Sequence, residues 1–170
     1  MLFSLFLILH VTCTAAGDEG GAVHLFCHNW FGKEALSTPL SLTDTNIIVS
    51  AVTLDGQPSG WIFRTDQVPP SCKGKRGQIA VLVAIGTDAR IKGLTVLAHQ
   101  EDPPYFRRLK DSFFSQFRDK RAGDEAVKID AVTRATFSSK AIIRDVMEGA
   151  KNVISLPEVA AQLKSPNKGG

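Results

Sequence analysis

The stretch QIAVLVAIGTDARIKGLTVLAH, residues 78–99, decides the fold. Residues 78–85 are almost wholly apolar, as in a short strand buried on both faces. Gly86, Thr87, Asp88 and Ala89 supply a turn. Ile91, Leu94, Val96 and Ala98 then give the returning half a looser alternation. Two β runs joined by a short turn predict an antiparallel hairpin, with Gly93 marking a bulge.

A second hairpin precedes it. NIIVSAVTL (46–54) is β-branched, Asp55-Gly56 is a turn signal, and GWIFRT (60–65) returns. Residues 67–77, with Pro69, Pro70, Gly74 and Gly77, read as a loop. Downstream, Tyr105, Leu109, Phe113 and Phe117 form one apolar line at helical spacing, widened by Phe106 and Phe114. Arg107, Arg108, Lys110, Asp111 and Arg118 fill the opposite face, so this helix is amphipathic and its aromatics belong to a core. Residues 121–124 read as a turn and 127–132 as a further strand. A last helix over 139–154 places Ile142, Ile143, Val146, Met147, Ala150, Val153 and Ile154 on one face. The predicted class is α+β: an antiparallel sheet of two hairpins plus a further strand, with two main helices packed on one face.

The chain ends differ in character. Residues 2–11, LFSLFLILHV, are an apolar run followed by Thr12, Cys13, Thr14, Ala15, Ala16 and Gly17. This predicts a signal peptide over 1–16, too short to span a bilayer comfortably. An uncleaved anchor, or a lipid on Cys13, is the alternative. Residues 17–45 have no clean period and read as an extended lead-in with one short helix near 33–36. A domain over 46–156 and a tail over 157–170 complete the organisation. Cys27 and Cys72 remain after the signal, and an oxidising compartment would permit them to pair. His24, Cys27 and His28 lack a fourth ligand for a tetrahedral metal and read as a solvated tail. No Cys-x-x-Cys-His is present at this place, which excludes c-type haem there.

With 44% hydrophobic and 22% charged residues, the chain can bury a core. A net charge of +3, with no basic run interleaved with aromatics, argues against a nucleic-acid partner. The absence of G-x-G-x-x-G argues against a nicotinamide site. Neither a Ser-His-Asp set nor a zinc cluster is evident.

The approach to the last helix, KIDAVTRATFSSK (128–140), carries more polar residues than a helix start needs. Ser138 or Ser139 is the natural N-cap. Asp130, Thr133 and Thr136 are then left to explain. A helix N-terminus has unpaired N–H groups and partial positive charge, so it receives anions. Thr136, Ser138, Ser139 and Lys140 would surround a phosphate there, with Arg134 and Lys128 adding charge.

DAVTRATFSS resembles the flavinylation motif of the FMN-binding domain family: Asp, two variable residues, Ser or Thr, Gly, Ala, then Ser or Thr. Members include flavoprotein subunits of the sodium-pumping quinone reductase and of the Rnf electron-transport complex, and the periplasmic domain of the nitrous-oxide reductase regulator. The resemblance implies that Thr136 carries FMN as a phosphodiester through its hydroxyl oxygen, placed there from FAD by a Mg-dependent flavin transferase. Asp130, Thr133 and Ala135 match further motif positions, and Arg134 stands where the family usually has Gly. Phe137, Ser138 and Ser139, next to the attachment residue, are read as further cofactor-binding positions. GWIFRT and residues 79–103 are similar to the family's early strand and central hairpin. The latter usually ends in Val-x-x-His-x-Glu-Thr-Pro, which His99, Glu101 and Pro103 match in kind, implying cofactor contacts from His99 and Glu101. Pro104, Tyr105 and Phe106 replace a frequent Gly-Leu-Gly. The likeness covers about 46–154.

What it implies is an electron-transfer flavoprotein with covalent FMN, facing the periplasm or exported, secreted or membrane-associated through its N-terminus. It would be an electron carrier or redox-complex subunit more than a stand-alone enzyme. A cytochrome or a membrane electron-transport complex would be its redox partner. The alternative is a sensory or assembly module of a membrane redox system, with FMN bound non-covalently or absent.

Overall fold

The computed structural model describes residues 19–40, 42 and 47–164. The expected signal peptide and the last six residues of the tail lie outside them. Five strands form one antiparallel sheet in chain order: β1 (Leu36–Pro39), β2 (Val49–Leu54), β3 (Gln57–Arg64), β4 (Ile79–Gly86) and β5 (Ile91–His99). The helices are α1 (Glu19–Phe31), α2 (Pro103–Phe106), α3 (Asp111–Phe114), α4 (Thr136–Ile154) and α5 (Pro157–Ala160).

Both predicted hairpins are present, and turn chemistry places them. Asp55 and Gly56 take φ of 51° and 72°, as the two-residue turn between β2 and β3 requires. Every residue of β4 is buried, as its apolar run predicts. Its side chains alternate between two cores. Val81, Val83 and Ile85 join Trp61 and Phe63 against Ile142, Val146, Ala150 and Val153 of α4. Leu82 and Ala84 join Val52, Ile62, Phe26 and Cys27 on the opposite face.

That opposite face is where the structure departs furthest from expectation. α1 occupies the predicted solvated lead-in and ends at Gly32, whose φ of 109° suits a left-handed helix stop. Its apolar residues are spread around the helix, with Leu25 exposed and Phe26 and Cys27 buried, so no clean period advertised it. The short helix expected near 33–36 is instead a turn leading into β1. β1 is also the fifth strand of the sheet, in place of 127–132. Residues 127–132 form no strand and no bridge. The outer edge of β5 is met elsewhere: Asp119 N–H donates to Ile91 O at 2.8 Å, and Ile91 N–H donates to Lys120 O at 2.9 Å.

The helix expected over 105–117 is broken. α2 and α3 flank an extended Lys110, and a single 3-10 turn, Ser115–Phe117, follows. Arg107, Arg108 and Lys110 crowd like charges into the break, and a short isolated helix has little intrinsic stability to oppose that. Packing still wins for the apolar line. Leu109, Phe113 and Phe117 are buried on the α4 side of the sheet, as predicted, while Tyr105 is exposed.

A bulge falls beside Gly93, between the pairs Ala84–Gly93 and Ile85–Ile91. Trp30 of α1 lies over that glycine: a Cβ there would overlap the indole. The Arg118 guanidinium stacks on the Trp30 ring at 5.0 Å. Gly93→Ala is expected to lift Trp30 from the sheet and to cost about 1–2 kcal/mol. A urea titration followed by tryptophan emission checks this.

Cys27 and Cys72 are both free thiols. Cys27 packs under α1, whereas Cys72 bonds to α4 on the other side. The cysteine pairing left open by the sequence is not present. Among the described residues no group of three or more metal-ligating side chains forms, and no helix is long and apolar enough to cross a membrane.

Candidate functional site at the start of the long helix

α4 begins at Thr136, three residues earlier than the expected 139. Ala135 is its N-cap and supplies no side-chain bond. Neither Ser138 nor Ser139 is the cap that sequence suggests. The helix ladder opens with Ser139 N–H donating to Ala135 O at 2.9 Å. The N–H groups of Thr136, Phe137 and Ser138 therefore precede it without an intrahelical acceptor.

The approach segment is held by side chains. Asp130 N–H donates to Gln116 Oε1 at 2.8 Å, and Gln116 Nε2 returns a bond to Asp130 O at 3.4 Å. Val132 N–H donates to Ser139 Oγ at 3.1 Å, while that hydroxyl donates to Ala135 O at 3.0 Å. Buried Ser139 thus ties the incoming chain to the first turn of the helix. Asp130 and Thr133 are exposed and lie outside the cavity described below.

Arg134 takes φ of 64° in the turn before the helix. A side chain in this left-handed region costs about 1–2 kcal/mol, which explains physically why glycine suits the position. Arg134→Gly is expected to stabilise the fold by up to about 1 kcal/mol, because released strain exceeds the added freedom of the unfolded chain. The midpoint of chemical unfolding should rise.

A cavity of about 280 Å³ opens beside this turn. Arg134, Ala135, Thr136, Phe137 and Ser138 form one wall, and Lys75, Glu101, Asp102 and Tyr105 the other. Thr136 is exposed, with its hydroxyl donating to Val132 O at 3.4 Å. Phe137 is 73% exposed and Tyr105 47%, a large apolar area left at the rim. The Lys75 ammonium lies 5.5 Å from the centre of the Tyr105 ring and 3.7 Å from the Asp102 carboxylate.

Glu101 is 5% exposed and ties the two walls together. The Ser138 hydroxyl donates to its Oε2, and Arg76 N–H donates to its Oε1 at 2.6 Å. Burial pushes the carboxyl up, but Ser138 and the N–H groups of Arg76, Lys75 and Gly77 outweigh it and hold it below its usual range. Gly74 is required beside it, since a Cβ would stand 2.8 Å from Oε1. Glu101 lines the cavity, with its charge already satisfied by these donors. His99 does not line the cavity: it stacks on Phe106, ring centres 3.5 Å apart.

Helix α4 also anchors the loop that carries Lys75. Asn152 Nδ2 donates to Pro69 O at 2.8 Å, and Cys72 N–H donates to Asp145 Oδ1 at 2.6 Å. Burial raises Asp145, against the Cys72 N–H and thiol, which favour its ionised form. The Cys72 thiol is raised in turn, first by burial and then by its bond to Asp145. Sequence reasoning does not single out Lys75, Asp102 or Tyr105 for the site. The KGKRG run at 73–77 is the available signal, two glycines among three cations.

A hydroxyl and open N–H groups at the mouth of a 19-residue helix, two cations and two exposed aromatic rings suit an aromatic cofactor that bears a phosphate. FMN is one molecule whose chemistry suits this set: the helix start, Arg134 and Lys75 could meet a phosphate, and Tyr105 and Phe137 an aromatic ring. Residues 74–151 match the model of the FMN-binding domain family. The chain is 36% identical over 95 residues to a component of the proton-translocating ferredoxin:NAD(+) oxidoreductase complex of Clostridium ljungdahlii, a match covering 51% of each chain. The chain therefore aligns with about half the length of that relative.

Proposed function

We propose that this protein is an extracytoplasmic electron-transfer subunit carrying FMN through a phosphodiester to Thr136. The observation that carries this reading is the exposed Thr136 hydroxyl in the first turn of α4, on the wall of a cavity shared with Arg134 and Lys75. FMN supplies one- and two-electron chemistry when bound. The protein's own residues orient it. The helix start and the cations hold the phosphate, Glu101 and Ser138 fix the wall, and the exposed rings of Tyr105 and Phe137 border the flavin. Electrons would pass to and from a membrane electron-transport complex or a cytochrome, as befits kinship to a component of an oxidoreductase complex. A flavin transferase would install the cofactor. The domain proposed over 46–156 would be completed by α1 and β1, which pack on and extend its sheet, behind an N-terminal export or anchoring segment.

A second reading keeps the site but not the bond. Arg134, strained where glycine is at ease, would hinder a transferase from seating the segment, leaving a non-covalent FMN-binding or flavin-free sensory module. Co-expression with a flavin transferase separates the two. The covalent reading expects an ultraviolet-fluorescent band after denaturing electrophoresis. A dark band, alongside a fluorescent control substrate, would favour the second.

A further inference from the structure

Positive charge gathers around the mouth of the cavity. Lys75 and Arg134 line it, Lys73 and Arg76 stand on the same 73–77 loop, and Arg107 and Arg108 close the turn that follows Tyr105. All six residues are exposed. Residues 73–77, 101–108 and 134–138 together hold six cations and two carboxylates, against twenty and seventeen in the whole chain. The positive excess of the entire chain therefore sits in these three segments. Their carboxylates do little to offset it. Glu101 is buried and satisfied, and Asp102 is shared between Lys75 at 3.7 Å and Arg76 at 3.0 Å. Two rings stand among the charges: Phe137, 73% exposed at the head of α4, and Tyr105, 47% exposed on the facing wall. Exposed aromatic residues and arginines are what protein interfaces draw on most. At about 280 Å³ the cavity falls just short of the roughly 300–1,000 Å³ usual for sites that enclose a small molecule. A flavin seated there is left open at the mouth.

We propose that this mouth is the docking face for an acidic protein, a redox partner whose own cofactor edge is ringed by carboxylates. The proposal rests on the cavity holding the flavin. The cations steer and orient the incoming partner, and the two rings form the dry centre of the contact. Phe137 adjoins Thr136, so a partner seated on that ring stands over the cofactor's point of attachment. An anionic bilayer would meet the same cations, but it neither accepts nor supplies electrons at the mouth.

The test measures binding to the full chain without flavin, so that it does not depend on cofactor loading. The probes are two small haem proteins of opposite charge: cytochrome b5, whose haem edge is ringed by carboxylates, and cytochrome c, whose haem edge is ringed by lysines. Cytochrome b5 is expected to bind about tenfold more tightly than cytochrome c, and to weaken as salt is raised. Lys73→Glu and Arg107→Glu lie at exposed positions outside the cavity lining, and each should weaken cytochrome b5 about tenfold. Phe137→Ala changes no charge, and it should weaken binding about fivefold, an effect that diffuse attraction alone would not give. Equal binding of the two cytochromes, or wild-type binding by Phe137→Ala, would overturn the docking face. Tighter binding to vesicles of phosphatidylserine and phosphatidylcholine than to cytochrome b5 would also overturn it, and would give the face to a membrane. Flavin uptake with no binding of cytochrome b5 keeps the flavin site and removes the docking face. Binding of cytochrome b5 by a chain that never takes up flavin keeps the acid-binding surface and removes the flavin reading beneath it.

Discussion

Thr136→Ala is expected to abolish the flavin-labelled band completely, while the protein keeps its fold. The side chain is exposed, and its one hydrogen bond, to Val132 O, is long at 3.4 Å. The stability cost should stay near 0.5 kcal/mol, as for other surface changes. The chemical cost is total, since no other group takes the place of the lost nucleophile. Thr136→Ser keeps a hydroxyl at the same helix position and should retain labelling. Ser138 and Ser139 cannot substitute. Both are buried, Ser138 against Glu101 and Ser139 against Ala135. A fluorescent band in the alanine variant would place the attachment elsewhere.

Glu101→Ala is expected to be the most destabilising of the substitutions considered, by about 3 kcal/mol. Removing the carboxylate leaves the Ser138 hydroxyl and the N–H groups of Lys75, Arg76 and Gly77 without the acceptor they share. Both cavity walls should loosen together, because this one group joins the 74–77 loop to the first turn of α4. Its pH dependence has a definite sign. The folded carboxyl ionises below its ordinary value of 4.5. Its stabilisation is therefore complete above that value and is lost as pH falls through the lower folded value. Comparing urea midpoints of wild type and Glu101→Gln between neutral and acid pH isolates this term, since Asp145 is common to both. The gap should narrow below about pH 4.5. A gap unchanged with pH would mean that the charge is not what holds the loop.

How much of this could be read from residues alone varied with the kind of signal. The hairpins were legible because Asp55-Gly56 and the apolar run of β4 act locally. The burial of Phe113 and Phe117 was legible from spacing, though the helix they implied was not. Their packing survives in a broken segment because burying an aromatic side chain, worth about 1.5–3 kcal/mol, outweighs a turn of helix. α1 escaped notice because apolar residues around its whole circumference leave no stripe to detect. The segment 127–132 looked like a strand, but strand identity depends on an available edge, which is a property of the assembled sheet.

The site divides in the same way. Thr136, Arg134, Ala135, Phe137, Ser138 and Glu101 line one cavity. Asp130, Thr133 and His99 do not line it. Ser139 acts from beneath by holding Val132. Arg134 gains its meaning only from φ, a backbone quantity that sequence hints at through the expected glycine. Lys75 and Tyr105 come from distant parts of the chain, and only the closure of the 74–77 loop onto Glu101 makes them neighbours.

The central claim, a flavin phosphate esterified to one helix-start hydroxyl, is tested most directly by intact mass. Protein co-expressed with an active flavin transferase should carry a single FMN adduct, and peptide mapping should place it on Thr136. Bare polypeptide from that same host, with a control substrate fully labelled, would contradict the account.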